Sequence, residues 1–225
     1  MQKSLTIISL LAGAVGVYAQ GQIHFDDYVT TSGDQFEITV WQVQPGNAQV
    51  FGDTATDVPA GTQTYSGVAI GGSATGSGPT GYGNGNNYSI ELYAANGAGA
   101  PVSSLTAVPG ALANFDTAGF PGTWDAAGGV VVTVPQVPVG GTGSFQLQAW
   151  YNGGGTLTYA QDAAGAGPFG SSIEANITLG GATAPPVSLN PITSFSLTTT
   201  VPEPSTIALG VIGASAFLMR LRRKQ

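Results

Sequence analysis

Apolar and polar positions alternate in short runs through most of the chain, and each run is bounded by Gly, Pro, Asn or Asp. In Phe145-Gln146-Leu147-Gln148-Ala149-Trp150 the apolar Phe145, Leu147 and Ala149 fall on one face, while Gln146 and Gln148 fall on the other. That period of two is the pattern of a half-buried strand. Phe36, Ile38 and Val40 share a face in the same way. The same reading predicts strands over 23–29, 36–43, 64–70, 88–93, 130–134, 144–151, 156–160, 173–179 and 194–199. Gly 35 and Pro 14 break the chain so often that few intervals could hold a helix, which needs ~11 residues to reach average length. These short strands predict an all-β fold, a single antiparallel β-sandwich of jelly-roll type over residues 20–200. Ser89-Ile90-Glu91-Leu92-Tyr93-Ala94-Ala95-Asn96-Gly97 loosely matches Ser144-Phe145-Gln146-Leu147-Gln148-Ala149-Trp150-Tyr151-Asn152-Gly153. Both read as a strand running into an Asn-Gly turn, where φ > 0 is favoured.

The alternation stops at both ends of the chain. At the start, Lys3 precedes an apolar run over 5–17, and Val17-Tyr18-Ala19 offers small residues for cleavage between Ala19 and Gln20. Residues 1–19 therefore read as a signal peptide. At the end, Val201-Pro202-Glu203-Pro204-Ser205 leads into an uncharged run over 206–219, followed by Arg220-Leu221-Arg222-Arg223-Lys224-Gln225. Pro202 and Pro204 fix φ and remove two backbone donors, so this stretch stays extended. Ser205 is a plausible N-cap for the helix that follows. At ~1.5 Å per residue the apolar run covers roughly 20 Å of a ~30 Å hydrocarbon core. It predicts a short transmembrane helix that serves as a transient handle. Lys3, Arg220, Arg222, Arg223 and Lys224 all favour the cytoplasmic side, which places everything between them outside it.

Those basic residues are also the chain's entire cationic complement, five Lys and Arg in all. The body over 20–200 carries none of them, and it holds eleven of the twelve acids, the other being Glu203. Such a surface repels phosphate backbones and anionic lipid, which excludes nucleic acid as a partner. No cysteine is present, so an exported body must be held by its core alone.

The order Pro-Glu-Pro, apolar span and basic stop resembles the PEP-CTERM sorting signal. Within 201–225 it places the motif at Pro202, Glu203 and Pro204 (201–205), the span at 206–219 and the basic tail at 220–225. The resemblance implies recognition by an exosortase-like membrane protease or transpeptidase, after signal peptidase and the export machinery have acted. It also implies passage through the inner membrane and a final place at the cell surface or in extracellular matrix. The body over about 82–197 resembles uncharacterised PEP-CTERM proteins of Verrucomicrobia-like bacteria. The matching features are the Ile-Glu-Leu-Tyr-Ala strand, the Val-Val-Val-Thr-Val strand and the Leu-Gln-Ala-Trp strand. That likeness implies a fold and carries no activity.

Candidate chemistry is sparse. His24 is the only imidazole and alternates with Ile23 and Phe25, the setting of an ordinary strand histidine. The Gly-rich 81–87 and 140–143 lack the Lys-Ser/Thr of a phosphate cradle and read as loops. No catalytic residue and no metal ligand set is assigned. Glu37, Glu91 and Glu174 lie on strands, and a pair of them across a cleft is what glycoside hydrolysis would require. Asp26, Asp27, Asp34, Asp53, Asp57, Asp116, Asp125 and Asp162 lie near turns, which leaves calcium open without a recognisable binding loop. Trp41, Trp124, Trp150, Tyr82, Tyr88, Tyr151 and Tyr159 include rings able to stack on sugars, although most suit the core. The sequons at Asn87 and Asn176 carry no assignment. The expectation is a non-enzymatic surface or matrix protein, with exopolysaccharide as a partner, and the alternative is a carbohydrate-binding or carbohydrate-hydrolysing β-sandwich module.

Overall fold

The computed structural model describes residues 20–29, 36–71, 85–115, 121–124, 130–181 and 184–200. The expected signal peptide, the apolar span and its basic tail, the Pro202-Glu203-Pro204 motif and Ala19 lie outside them. Gln20 is exposed at the start of the first strand, opposite Pro138.

The described body is built mostly of antiparallel β-strands. Its centre is the pair β5 (Tyr88–Asn96) and β8 (Thr142–Tyr151), the two segments whose sequences look alike. They pair antiparallel along their length, from Tyr88 opposite Tyr151 to Asn96 opposite Gly143. β6 (Thr106–Asn114) extends the sheet beyond β5. On the far edge of β8, β9 (Phe169–Ser171) pairs with Gln148 to Trp150, and β10 (Ala175–Thr178) pairs with Thr142 to Phe145. β1 (Gln20–Phe25) pairs with β7 (Val130–Pro138), and β7 packs against β5, β6 and β8. Two small pairs complete the body. They are β2 (Tyr28–Val29) with β3 (Phe36–Glu37), and the parallel pair of β4 (Val40–Trp41) with β11 (Phe195–Ser196).

The period of two decides which side chains enter the apolar core, although β8 is buried on both faces and Gln146, expected to face outward, is buried as well. Ile90, Leu92 and Ala94 of β5 and Phe145, Leu147 and Ala149 of β8 are fully buried. They meet Ile23, Val134, Val137, Phe195 and Leu197 in one apolar core. Each large side chain so buried contributes about 1.5–3 kcal/mol. The opposite face of β5 and β8 is left for other work.

Several predicted elements took another form. The run 36–43 is broken at Thr39, whose amide donates to Ser194 Oγ, while the Ile38 amide still donates to Asp27 O in register with the β2–β3 pair. The run 64–70 makes only an isolated bridge between Ala69 and Trp41. There the Ser66 amide donates to Gln44 Oε1, and Gly67 turns to φ +91°. The run 156–160 ends as helix α1 (Tyr159–Gln161), because Thr158 and Gln161 form a capping box. β6 and β9 were not predicted. β6 contains Pro109-Gly110, with Gly110 at φ +82°, and it tolerates them through a register shift opposite Glu91 and Tyr93. Helical segments among the described residues span three to five residues. None of them is long and apolar enough to cross a membrane.

Candidate functional site

The outward positions of the central strands line a groove of about 620 Å³. β5 supplies Ser89, Glu91 and Tyr93, β8 supplies Gln148 and Trp150, and Asn152 follows β8. Leu112 and Asn114 of β6 form one side, and Leu157, Thr158 and Tyr159 form the other. Register sets the spacing, with Ser89 opposite Trp150 and Glu91 opposite Gln148.

The floor is polar and oriented. The Tyr93 hydroxyl donates to Glu91 Oε2 at 2.9 Å. Burial, this bond and the Glu91 charge push the Tyr93 phenol far above its ordinary value, so it remains a donor at any physiological pH. Among the described residues Glu91 is the one carboxylate lining the groove. Gln148 and Glu91 are half-buried, while Leu112 is 58% exposed and offers an apolar rim.

The aromatic wall is held edge to face. Trp150 Nε1 donates to Leu157 O at 2.9 Å, and its ring meets Tyr159 with centroids 6.2 Å apart at 86°. Tyr159 in turn meets Phe169 at 5.7 Å and 88°. These are favoured aromatic geometries. Burial raises the Tyr159 phenol, and a hydrogen bond with Ser171 partly offsets this.

Asn152 fixes the loop that carries the wall. Its Nδ2 donates to Asn86 O and Ser89 Oγ, each at 3.0 Å, and to Asn114 Oδ1 at 3.3 Å. Its Oδ1 accepts from the Gly154 and Gly155 amides, and its carbonyl accepts from Gly155, Thr156 and Leu157. Gly153, Gly154 and Gly155 have φ of +58°, +79° and +92°. Three successive left-handed residues are a conformation that only glycine adopts without strain.

A second, smaller groove of about 370 Å³ is lined by Glu37, Thr39, Trp41, Asp57, Val68 and Pro121, among others. Trp41 stacks on Tyr65 at 4.9 Å and 2°. Asp57 accepts from the Thr54 amide, Thr54 Oγ1 and Ser194 Oγ. Burial first, and then the nearby Asp57, hold the Glu37 carboxyl above the usual range, against a hydrogen bond with Thr39. Burial likewise raises Asp53.

The three glutamates predicted on strands are thus dispersed, while Glu37 and Asp57 line the smaller groove together. Glu91 lies in the larger groove, Glu37 in the smaller, and Glu174 lines neither. No two of these three meet across a cleft. Asp34, Asp116 and Asp125 lie outside the described residues, and among those described no three His, Asp or Glu gather as a metal site. His24 lines neither groove and sits on β1 opposite Val131. Of the rings, Trp150 and Tyr159 line the larger groove and Trp41 the smaller, Trp124 and Tyr88 belong to the core, and Tyr151 packs against it. Tyr82 lies outside the described residues. Asn176, one of the sequon residues, accepts through Oδ1 from the Gly99 amide and Ser144 Oγ. Sequence reasoning singled out Glu91, Trp150 and Tyr159 but missed Ser89, Tyr93, Leu112, Asn114 and Asn152. Ser89 and Tyr93 stood two residues on either side of Glu91, a signal the strand period already contained.

No family model matches the chain, no curated protein is significantly similar to it, and no solved structure is significantly similar in fold.

Proposed function

We propose that this is an exported surface or extracellular-matrix protein whose β-body binds a neutral saccharide chain in the Glu91 groove without catalysing its cleavage. The observation that carries the proposal is the Tyr93–Glu91 pair on an outward strand face, beside the Trp150–Tyr159 wall. A carboxylate with one oxygen already oriented suits the paired hydroxyls of a sugar, and aromatic and leucine surface suits its C–H faces. Hydrolysis by the usual route needs two carboxylates across the bond, and this groove offers one among its described residues. The body has no Lys or Arg to neutralise a polyanion, so the ligand class is neutral.

In this reading the body is a jelly-roll-like sandwich between a signal helix and a short C-terminal membrane helix. Export follows the signal over 1–19, and Pro202-Glu203-Pro204 is recognised by an exosortase-like enzyme before the body joins the surface or matrix. Two experiments test the two halves. Replacing Pro202, Glu203 and Pro204 by alanine abolishes C-terminal processing, read by intact mass; unchanged processing contradicts the sorting half. Glu91→Gln reduces retention of the mature body on neutral polysaccharides at least tenfold; equal retention contradicts the binding half.

A further inference from the structure

Asp162, like Asp26, Asp27 and Asp57, is a buried acid outside the Glu91 groove. Its side chain has no exposed surface, and neither carboxylate oxygen has a hydrogen-bond partner among the described residues. It sits in the turn Asp162–Ala166 that directly follows α1, the element that brings Tyr159 to the groove. The Tyr151 backbone amide, engaged with Pro168 O at 2.9 Å, offsets the effect of burial on the carboxyl only in part. No Lys or Arg lies among residues 20–200 to pair with it. Among the described residues, the titratable side chains that local contacts and sequence place near it are Tyr151 of β8, which with Asp162 Oδ1 crowds Gly167, and Tyr159, at the start of the helix that Asp162 ends. A buried carboxyl so placed is comfortable neutral and costly charged.

The turn is bounded by a cap at one end and a glycine at the other. At its start Thr158 is extended and caps α1, with its amide donating to Gln161 Oε1 at 2.8 Å. Near its end Gly165 takes φ +115°, a left-handed conformation suited to a hinge. Among the described residues, hydrogen bonds to the rest of the body are the Thr200 hydroxyl donating to Ala163 O at 2.7 Å and the Tyr159–Ser171 bond. Tyr159 is held by ring contacts with Trp150 and Phe169.

We propose that the segment 158–167 is an acid-closed latch on the groove: with Asp162 protonated the turn is seated and Tyr159 stands against Trp150, and with Asp162 ionised the turn lifts to hydrate the carboxylate and the wall opens. Burial places the switching range above that of an ordinary carboxyl, with Asp162 pushed up to about 6. The latch rests on the reading of the groove as a ligand site only for its consequence, tighter saccharide retention at pH 5 than at pH 7.5. Its existence is read without ligand.

The test is hydrogen exchange on the unliganded mature protein, following peptides that cover 157–169 and correcting for intrinsic rates. In the wild type, protection of these amides falls at least tenfold between pH 5 and pH 7.5, while Asp162→Asn stays protected at both. Equal protection at the two pH values in the wild type, or the same fall in the variant, overturns the latch. If Asp162→Asn fails to fold, a ¹³C titration of the wild-type Asp162 carboxyl decides: a midpoint near 6 supports the latch and one near 4 removes it. A latch seen by exchange with no saccharide retained at either pH refutes the binding function alone.

Discussion

The Tyr93 hydroxyl donates to Glu91 from two residues further along the same strand, so one β-strand face supplies both a carboxylate and the group that orients it. Because the phenol is held protonated by burial and by Glu91 itself, the pair stays polarised in one sense. Tyr93→Phe keeps the ring and removes only this bond. Loss of a hydrogen bond to a charged group is worth about 1.5 kcal/mol, roughly tenfold in affinity. Calorimetry on the variant is expected to show that loss together with a lower Tm, because the bond also stabilises the folded body, and unchanged affinity would remove the pair from recognition.

Asn152 is predicted to matter for the wall more than its place after a strand suggests. Its side chain and carbonyl together organise Asn86, Ser89, Asn114 and the 154–157 amides. Asn152→Ala strands several of these buried groups and is expected to cost about 3 kcal/mol in urea denaturation. A loss below 1 kcal/mol would show that the loop holds itself.

Stability should fall as pH rises through the acidic range. Asp162 is raised to about 6 by burial, and Glu37 and Asp53 are raised in the same direction. The native state therefore holds protons that the unfolded chain, with ordinary carboxyls near 4, has already released. Protons bound in excess by the native state make stability decrease with pH, with the Asp162 share lost as pH passes 6. The Tm is expected to be higher at pH 5 than at pH 7.5, and Asp162→Asn is expected to narrow the gap by raising the value at pH 7.5. A Tm that climbs over this range contradicts the assignment.

Trypsin provides a simple check on topology and composition. With every Lys and Arg confined to Lys3 and the last six residues, 20–219 contains no site even when denatured. The body should survive urea plus trypsin as one fragment by mass spectrometry, and an internal cut would contradict the sequence reading.

Much of the fold was legible because the period of two is a direct consequence of strand geometry. Ile90, Leu92, Phe145 and Leu147 alternate, and the structure buries them. What failed to read was long-range chemistry. Nothing local at Thr39 signals that Ser194, 155 residues away, will take its amide and break the strand. The capping box at Thr158 competed with a strand-like composition and won through local hydrogen bonds. For the site, Glu91 was visible as a strand acid, but its partners on β6 and beyond β8 depend on a register that only the assembled sheet defines.

The central claim is that a neutral saccharide occupies the Glu91 groove. Amide chemical-shift mapping of the ¹⁵N-labelled mature body, titrated with neutral oligosaccharides at pH 5, tests it most directly. Saturable shifts concentrated on 89–93, 112–114 and 148–159 are the expected result. Saturable shifts confined to another surface, or no shifts with any neutral oligosaccharide, would contradict it.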